Sequence, residues 1–152
     1  MATPADRLLA LGLTLPTPSV PIASYQPCVR DGNLAHISGQ LSATAERSVK
    51  GVVGIEVDLS AATAGARLCG LNILAQLVRE LGDLGRVEQI LKLNVFVQAG
   101  SDFVDIPKVA NGCSDLLAEV LGEAGRHARS AVGVYRLPLN CSVEVDALVR
   151  VS

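Results

Sequence analysis

Two long segments of the chain repeat apolar residues at the three-and-four spacing of an amphipathic helix. The first is predicted to run from Ser60, as its N-cap, to about Leu81, with Gly82 as its terminator. The second is predicted over about Pro107 to Leu121. The first helix also carries one polar stripe with helical spacing, formed by Asn72, Gln76, Arg79 and Asp83. Each helix is therefore expected to cover a core with one face.

Shorter segments show the alternation of half-buried strands. Strands are predicted over Ser24 to Arg30 and Leu34 to Leu41. The residues Asp31-Gly32-Asn33 between them indicate a hairpin, because Asp and Gly tolerate a positive φ. The run Ile90 to Val97 predicts a central strand, and Val52 to Val57 predicts a weaker strand that a glycine interrupts.

The C-terminal region adds two more strand segments, one after Arg129 and one over Val143 to Val149. The element order predicts an α+β fold, in which a mixed β-sheet has two helices packed on one face. One side of the last strand is purely aliphatic, whereas the other is only half apolar: Glu144, Asp146, Leu148 and Arg150. We expect a partner subunit to cover part of that second face.

The first residues form an N-terminal extension in this interpretation. Thr3 is a predicted N-cap with Pro4 at the first helical position, and Gly12 ends the short helix. Three prolines between residues 16 and 21 then predict an extended connector. The chain is thus divided into an extension, residues 1–21, and a domain, residues 22–152, that begins near Ile22.

Composition narrows the range of functions. A chain of 152 residues with 49% hydrophobic residues suits one domain with an aliphatic core. Its net charge of −2 argues against nucleic acid as a partner. We find no signal-peptide pattern and no apolar run of about 20 residues, so no membrane partner is expected. The widely spaced cysteines predict free thiols, a cytoplasmic location and no metal site. They are Cys28, Cys69, Cys113 and Cys141.

Arg129 and Glu144 are the residues with the clearest chemical potential. A guanidinium is a rigid fork of donors that suits a carboxylate. Glu144 lies between two valines, and partial burial would raise its pKa toward that of a general acid or base. Simpler roles remain open, since Arg129 could be a surface ion-pair residue and Glu144 could pair with Arg150. His127 is interpreted as a solvent-exposed loop residue.

Several segments, in this order and spacing, resemble one known family: Ser24-Tyr25-Gln26, Ile37-Ser38-Gly39-Gln40, Leu93-Asn94-Val95-Phe96-Val97, Ala128-Arg129-Ser130, Leu137-Pro138 and Val143-Glu144-Val145. The chain resembles the Rid (reactive intermediate deaminase) family, also called the YjgF or endoribonuclease L-PSP family. The resemblance implies a chorismate-mutase-like fold and a homotrimer with ligand sites between subunits. It covers most of residues 22–152.

The resemblance also implies an activity. Members hydrolyse reactive enamines and imines, such as 2-aminoacrylate, to 2-keto acids and ammonia without a cofactor or metal. By this correspondence Arg129 holds the substrate carboxylate and Glu144 handles water. The other expected binding positions are Tyr25, Ser38, Asn111 and Ala131. At Ala131 the family often has a cysteine, so this chain departs from the pattern there.

Simpler roles remain open for three of these positions, since Tyr25 could serve packing, Ser38 the backbone and Asn111 a loop. For the whole chain, the first alternative function is a non-catalytic trimer that binds small carboxylates. The second is an endoribonuclease or translation inhibitor, against which the acidic balance and the scarcity of aromatics argue.

The spacing of Arg129 and Glu144 carries one more prediction. If residues 129–135 and 143–149 form an antiparallel hairpin that turns near Pro138, the two side chains lie about 13 Å apart along the ladder. One small substrate could not contact both. We therefore expect Arg129 of one subunit to work with Glu144 of another.

Overall fold

A single five-stranded sheet organises the chain, whose computed structural model describes residues 1–21 and 23–152. The strands are β1 (Cys28–Asp31), β2 (Leu34–Leu41), β3 (Val87–Gln98), β4 (Ala128–Val134) and β5 (Val143–Val151). Their order across the sheet is β1-β2-β5-β3-β4. Only β3 and β4 run parallel, and every other neighbouring pair is antiparallel. The predicted α+β class with a mixed sheet is confirmed.

Two long helices cover one face of this sheet. The helices are α1 (Pro4–Ala10), α2 (Leu59–Leu81) and α3 (Ile106–Leu121). The core lies between the sheet and the helices α2 and α3, and it includes the alternate positions of β5 from Val143 to Val151. The opposite face of the sheet carries no helix of the described chain, and it is called the open face below.

Helix α2 begins earlier than its sequence pattern predicted. Asp58, not Ser60, is the N-cap, because the Asp58 carboxylate accepts a hydrogen bond from the backbone N–H of Ala61 at 2.8 Å. Gly82 ends the helix as predicted. By length and composition α2 resembles a membrane span, but 72% of its most apolar window is buried inside the protein, which is the pattern of a core helix.

Two residues of the predicted polar stripe, Asn72 and Gln76, face the protein, whereas Arg79 and Asp83 are exposed. The side-chain amide of Asn72 donates to the carbonyls of Leu41 and Ala43 at 3.0 and 2.9 Å. That of Gln76 donates to the carbonyl of Ser19 at 3.2 Å. Both side chains are buried. These two side chains therefore bond to backbone carbonyls at the end of β2 and in loops.

Two predicted strands differ from the structure. The first strand begins at Cys28, not Ser24, because residues 23–27 form bends and Pro27 has no N–H for a ladder. The residues 52–57 form a turn, not a strand. Gly51 and Gly54 adopt φ of 114° and 91°, which breaks the extended backbone on both sides of Val53.

The predicted hairpin of the last two strands is wrong. Strand β4 pairs with β3 in parallel, and β5 pairs with the other edge of β3. The chain leaves β3, crosses over through α3 and returns as β4, which is the connection that parallel strands require. Because the crossover places β4 along one edge of β3, β5 pairs with the opposite edge of β3.

The N-terminal extension packs on the helical layer. Thr3 and Asp6 form the capping box of α1, which confirms the predicted cap. Leu8, Leu13 and Leu15 pack against the core. The predicted start of the domain, Ile22, lies outside the described residues, and the division at this point stays a prediction.

Candidate functional site

The open face holds a groove of about 710 Å³, here called the open-face groove. Three of the predicted site residues line it: Tyr25, Ser38 and Glu144. They come from the loop before β1, from β2 and from β5. Strand alternation explains the presence of Glu144, because its neighbours Val143 and Val145 are fully buried on the helix face.

Glu144 lies against the backbone of β2. The pairing of β2 with β5 has an irregularity between Ile37 and Gln40, and Gly39 lies within it. A Cβ at Gly39 would stand 2.8 Å from Cδ of Glu144, so the glycine gives the carboxyl group its place. Burial, and secondly the charge of Asp146, raise the pKa of Glu144. The raised pKa suits a group that exchanges protons with water.

The groove contains polar residues that the sequence analysis did not assign to the site. Asp146 accepts a hydrogen bond from the side-chain amide of Asn94 at 2.8 Å. The ammonium group of Lys92 donates to the hydroxyl of Ser130 at 3.1 Å. Positions 92, 94 and 96 of β3 share this face with the even-numbered positions of β5, so the alternation in the sequence was the available signal.

Tyr25 and Ser38 differ in how firmly the fold holds them. The Ser38 hydroxyl donates to the carbonyl of Gln26 at 2.6 Å, and its backbone N–H donates to the carbonyl of Pro27 at 3.0 Å. These bonds fasten the loop that carries Tyr25. The tyrosine itself is 48% exposed. In the isolated chain Ser38 thus serves the loop, and Tyr25 faces the groove.

Arg129 lies elsewhere, at the edge of the helix face. Its Nη1 donates to Oδ1 of Asn111 at 2.8 Å and to Oγ of Ser114 at 3.1 Å. Its Nη2 donates to the carbonyl of Pro107 at 3.4 Å. All three acceptors belong to α3. A smaller cavity of about 270 Å³, here called the edge pocket, is lined by Arg129, Ser114 and His127 among others. Asn111 therefore contacts Arg129, and its expected role in substrate binding stays a prediction.

His127 is half-buried, which corrects its interpretation as a solvent-exposed residue. Its Nδ1 lies 2.7 Å from the carbonyl oxygen of Gly125, and its Nε2 lies 2.8 Å from Oγ of Ser114. A carbonyl only accepts, so Nδ1 carries the proton and a neutral Nε2 accepts from the Ser114 hydroxyl. Burial lowers the pKa of His127. The hydrogen bond to Gly125 raises this pKa, and the charge of Arg129 lowers it, so the net direction is down.

Ala131 lies two residues beyond Arg129, on the same face of β4, and packs against the core. No sulfur therefore faces the arginine from this position. Among residues 1–21 and 23–152, no group of three or more His, Cys, Asp or Glu side chains could hold a metal ion.

The two halves of the predicted site do not meet within one chain. Arg129 is in register with Leu93 of β3, and Glu144 is in register with Phe96. Leu93 is fully buried on the helix face, and Phe96, three residues away, faces the opposite side. Arg129 and Glu144 therefore lie on opposite faces of the sheet, with β3 between their strands.

Comparison with known proteins places these residues in context. Residues 5–150 match the family model described as "YjgF/chorismate_mutase-like, putative endoribonuclease". Protein TCP17 of Trypanosoma cruzi is 43% identical over 150 residues, which cover 97% of this chain and 94% of that protein. The 2-iminobutanoate/2-iminopropanoate deaminase of Dermatophagoides farinae is 27% identical over 139 residues, covering 90% and 93%.

Solved structures agree with this fold. The crystal structure of protein Atu1372 from Agrobacterium tumefaciens, of unknown function, has a TM-score of 0.92 at 46% identity, covering 98% of this chain and 92% of that one. The crystal structure of Escherichia coli TdcF with bound serine has a TM-score of 0.64 at 26% identity, covering 91% and 96%.

Proposed function

The chain belongs to the YjgF/chorismate mutase-like family, and from this premise we propose that it hydrolyses reactive enamines and imines, such as 2-aminoacrylate, to 2-keto acids and ammonia. One observation carries the proposal. A guanidinium fork and a carboxyl group with a raised pKa occur in one chain on opposite faces of the sheet. The similarity to an iminobutanoate/iminopropanoate deaminase adds support.

Our proposal includes assembly into a homotrimer whose sites form between subunits. In a closed ring, the β4 edge of one sheet meets the open face of the next sheet, so Arg129 of one subunit reaches Glu144 of its neighbour. Exposed apolar side chains along this edge support such a contact. Val132 is 46% exposed and Tyr135 is 81% exposed.

The chemistry needs only positioning and one proton carrier. Arg129 binds the substrate carboxylate, which leaves the iminium carbon beside Glu144. As water attacks that carbon, the carboxylate of Glu144 takes a proton from the water, and the product of this step is a neutral carbinolamine. Glu144 then returns the proton to the nitrogen. The C–N bond breaks, the C=O bond forms, and the hydroxyl proton leaves with ammonia as ammonium. Tyr25 lines the same groove and would pack against the substrate.

The test is ammonia release from 2-aminoacrylate, generated in situ by a pyridoxal-phosphate-dependent dehydratase. We expect clear acceleration over spontaneous hydrolysis. Glu144→Gln keeps the side-chain shape but cannot carry the proton, and Arg129→Lys loses the fork, so both should lower kcat/KM by roughly 10²-fold or more. A wild-type rate equal to the spontaneous one would reject the proposed function.

A complementation experiment tests the shared sites. Arg129→Ala and Glu144→Gln are each expected to be inactive, but a mixed trimer contains interfaces where both native residues meet. With random mixing at equal amounts, about one quarter of the sites recover. Recovery near that level supports sites between subunits, whereas no recovery in verified mixed trimers contradicts them. Light scattering on the wild type measures the subunit number.

The second candidate is a non-catalytic binder of small carboxylates in the same cleft. Ala131 favours it, because the position lacks a thiol. The structure of TdcF with bound serine is consistent with this class of ligand. Binding of pyruvate without ammonia release from 2-aminoacrylate would select this candidate. Ribonuclease activity is disfavoured, since Glu144 and Asp146 give the groove two carboxylates that repel phosphates.

We place the protein in the cytoplasm as part of the same proposal. All four cysteines are free, and three of them are buried in the core region. Free thiols persist in reducing compartments.

A further inference from the structure

The five N–H donors of Arg129 are used unevenly. A guanidinium has one donor on Nε and two on each Nη atom. Both hydrogens of Nη1 have acceptors, which are Oδ1 of Asn111 and Oγ of Ser114. Within residues 1–21 and 23–152, Nη2 makes only the long bond of 3.4 Å to the carbonyl of Pro107. Nε makes no hydrogen bond with any residue that the structure describes.

This distribution selects one edge of the guanidinium. A carboxylate can bind end-on, to Nη1 and Nη2, or side-on, to Nε and Nη2. The end-on edge of Arg129 lacks a donor, because Asn111 and Ser114 occupy Nη1. On the side-on edge Nε is free, and the bond to Pro107 uses one of the two hydrogens of Nη2. Side-on binding therefore keeps the bonds of Nη1 to Asn111 and Ser114 and adds two charge-assisted bonds to the ligand.

His127 fixes the direction of the Ser114 hydroxyl. Burial lowers the pKa of His127 and so favours the neutral imidazole. Because Nδ1 of this imidazole donates to the carbonyl of Gly125, Nε2 lacks a proton and accepts from Ser114. With its proton directed to His127, Oγ of Ser114 presents only lone pairs to Arg129. The hydroxyl thus cannot rotate to donate elsewhere without breaking the bond to His127. Gly125, His127, Ser114 and Arg129 all line the edge pocket and form one chain of hydrogen bonds.

We propose that the 2-keto acid or imine carboxylate binds Arg129 side-on, through Nε and Nη2, and that Asn111, Ser114 and His127 are positioning residues that enforce this mode. The inference rests on the proposed role of Arg129 as a carboxylate anchor. Side-on binding fixes the plane of the carboxylate, and therefore the direction from which the neighbouring carbon meets Glu144 of the next subunit.

Nuclear magnetic resonance tests the binding mode directly. In wild-type protein with 15N-labelled arginine, the Nε–H signal of Arg129 is identified by its loss in Arg129→Lys. Saturating pyruvate should move this proton signal downfield and slow its exchange with water. Arg67 pairs with Glu119 on the outer helical surface and offers a control signal, identified by its loss in Arg67→Ala, that should not move. Bound pyruvate without a shift at Arg129, or no binding at Arg129 at all, would overturn the inference.

Variants of the positioning residues test the enforcement. Ser114→Ala should raise the Kd of pyruvate and the KM about tenfold with a smaller change in kcat, and Ser114→Thr should restore most of the affinity. His127→Ala should weaken binding in the wild type but add nothing in a Ser114→Ala background, because it acts through that hydroxyl. Equal losses from His127→Ala in both backgrounds would show a merely structural role and refute the claim.

These measurements separate the inference from the proposed function. An Nε shift with pyruvate in a protein that releases no ammonia would reject the deaminase and keep the binding mode. Ammonia release without the shift would keep the deaminase and reject the binding mode.

Discussion

Gly39→Ala tests the position of the Glu144 carboxyl group without removing it. The new Cβ would stand 2.8 Å from Cδ, 3.0 Å from Oε2 and 3.1 Å from Cγ of Glu144. Ordinary contacts of such atoms begin at 3.4 Å, so the carboxyl group must move by about 0.6 Å or more. The end of a glutamate side chain moves easily, and Gly39 has no positive φ, so the free energy of unfolding should change by less than about 1 kcal/mol.

Activity should respond far more than stability. A displacement of about 1 Å at a reacting group lowers rates by roughly 10²-fold, so a loss of kcat between about 10-fold and 100-fold is expected in the ammonia assay. Gly85→Ala is the matched control, because the three atoms nearest to its Cβ belong to the Asp83 carboxyl group, the first at 3.2 Å, in the turn before β3. The reasoning fails if Gly39→Ala keeps the wild-type kcat, or if it lowers the residual rate equally in a Glu144→Gln background.

Three further outcomes follow from burial and capping. The raised pKa of Glu144 means that its carboxyl group holds a proton more tightly in the native state than in the unfolded state. The free energy of unfolding should therefore fall as pH rises from about 4.5 through the native pKa. Denaturant titrations at several pH values should show a smaller fall in Glu144→Gln. Alkylation at pH 8.5, followed by mass spectrometry, should modify Cys28 in the native protein and the buried cysteines only after unfolding, since burial raises the pKa of Cys113 to about 12. Asp58→Ala should lower the free energy of unfolding by about 1 kcal/mol and Ser60→Ala by much less, and the reverse order would restore the serine as the cap.

Local patterns in the sequence predicted the elements well where one face meets the core. Helix α3 was expected over about Pro107 to Leu121 and spans Ile106–Leu121. The agreement is close because the apolar stripe of this helix is continuous and two glycines follow its end. The alternation in β5 is complete from Val143 to Val151. The cap of α2 was missed because Asp58 and Ser60 are both good caps, and only the backbone shows which one precedes the first turn.

Pairing between strands was not readable in the same way. The turn near Pro138 suggested that β4 and β5 pair as a hairpin. However, β4 follows β3 through a helix, so it can also pair with β3 in parallel, as it does in the structure. The sequence alone does not show which of these two pairings is the more stable. The sequence did not predict the role of His127 for a similar reason. Its hydrogen-bond partner Ser114 lies on α3, and no periodicity in the sequence relates these two residues. Contacts between elements depend on topology, whereas caps and faces depend on neighbours in the chain.

The division of the site between two faces follows from strand alternation and register together. Glu144 must face away from the helices because the flanking valines are buried, and that much is local. The face of Arg129 is set by its register with Leu93, which depends on where β4 begins. The bond between His127 and Gly125 holds the segment that leads into β4. A shift of β4 by one residue would turn Arg129 to the open face and break its bonds to Asn111 and Ser114. His127 therefore links two properties of the site, the face that carries the guanidinium and the edge of the guanidinium that stays available.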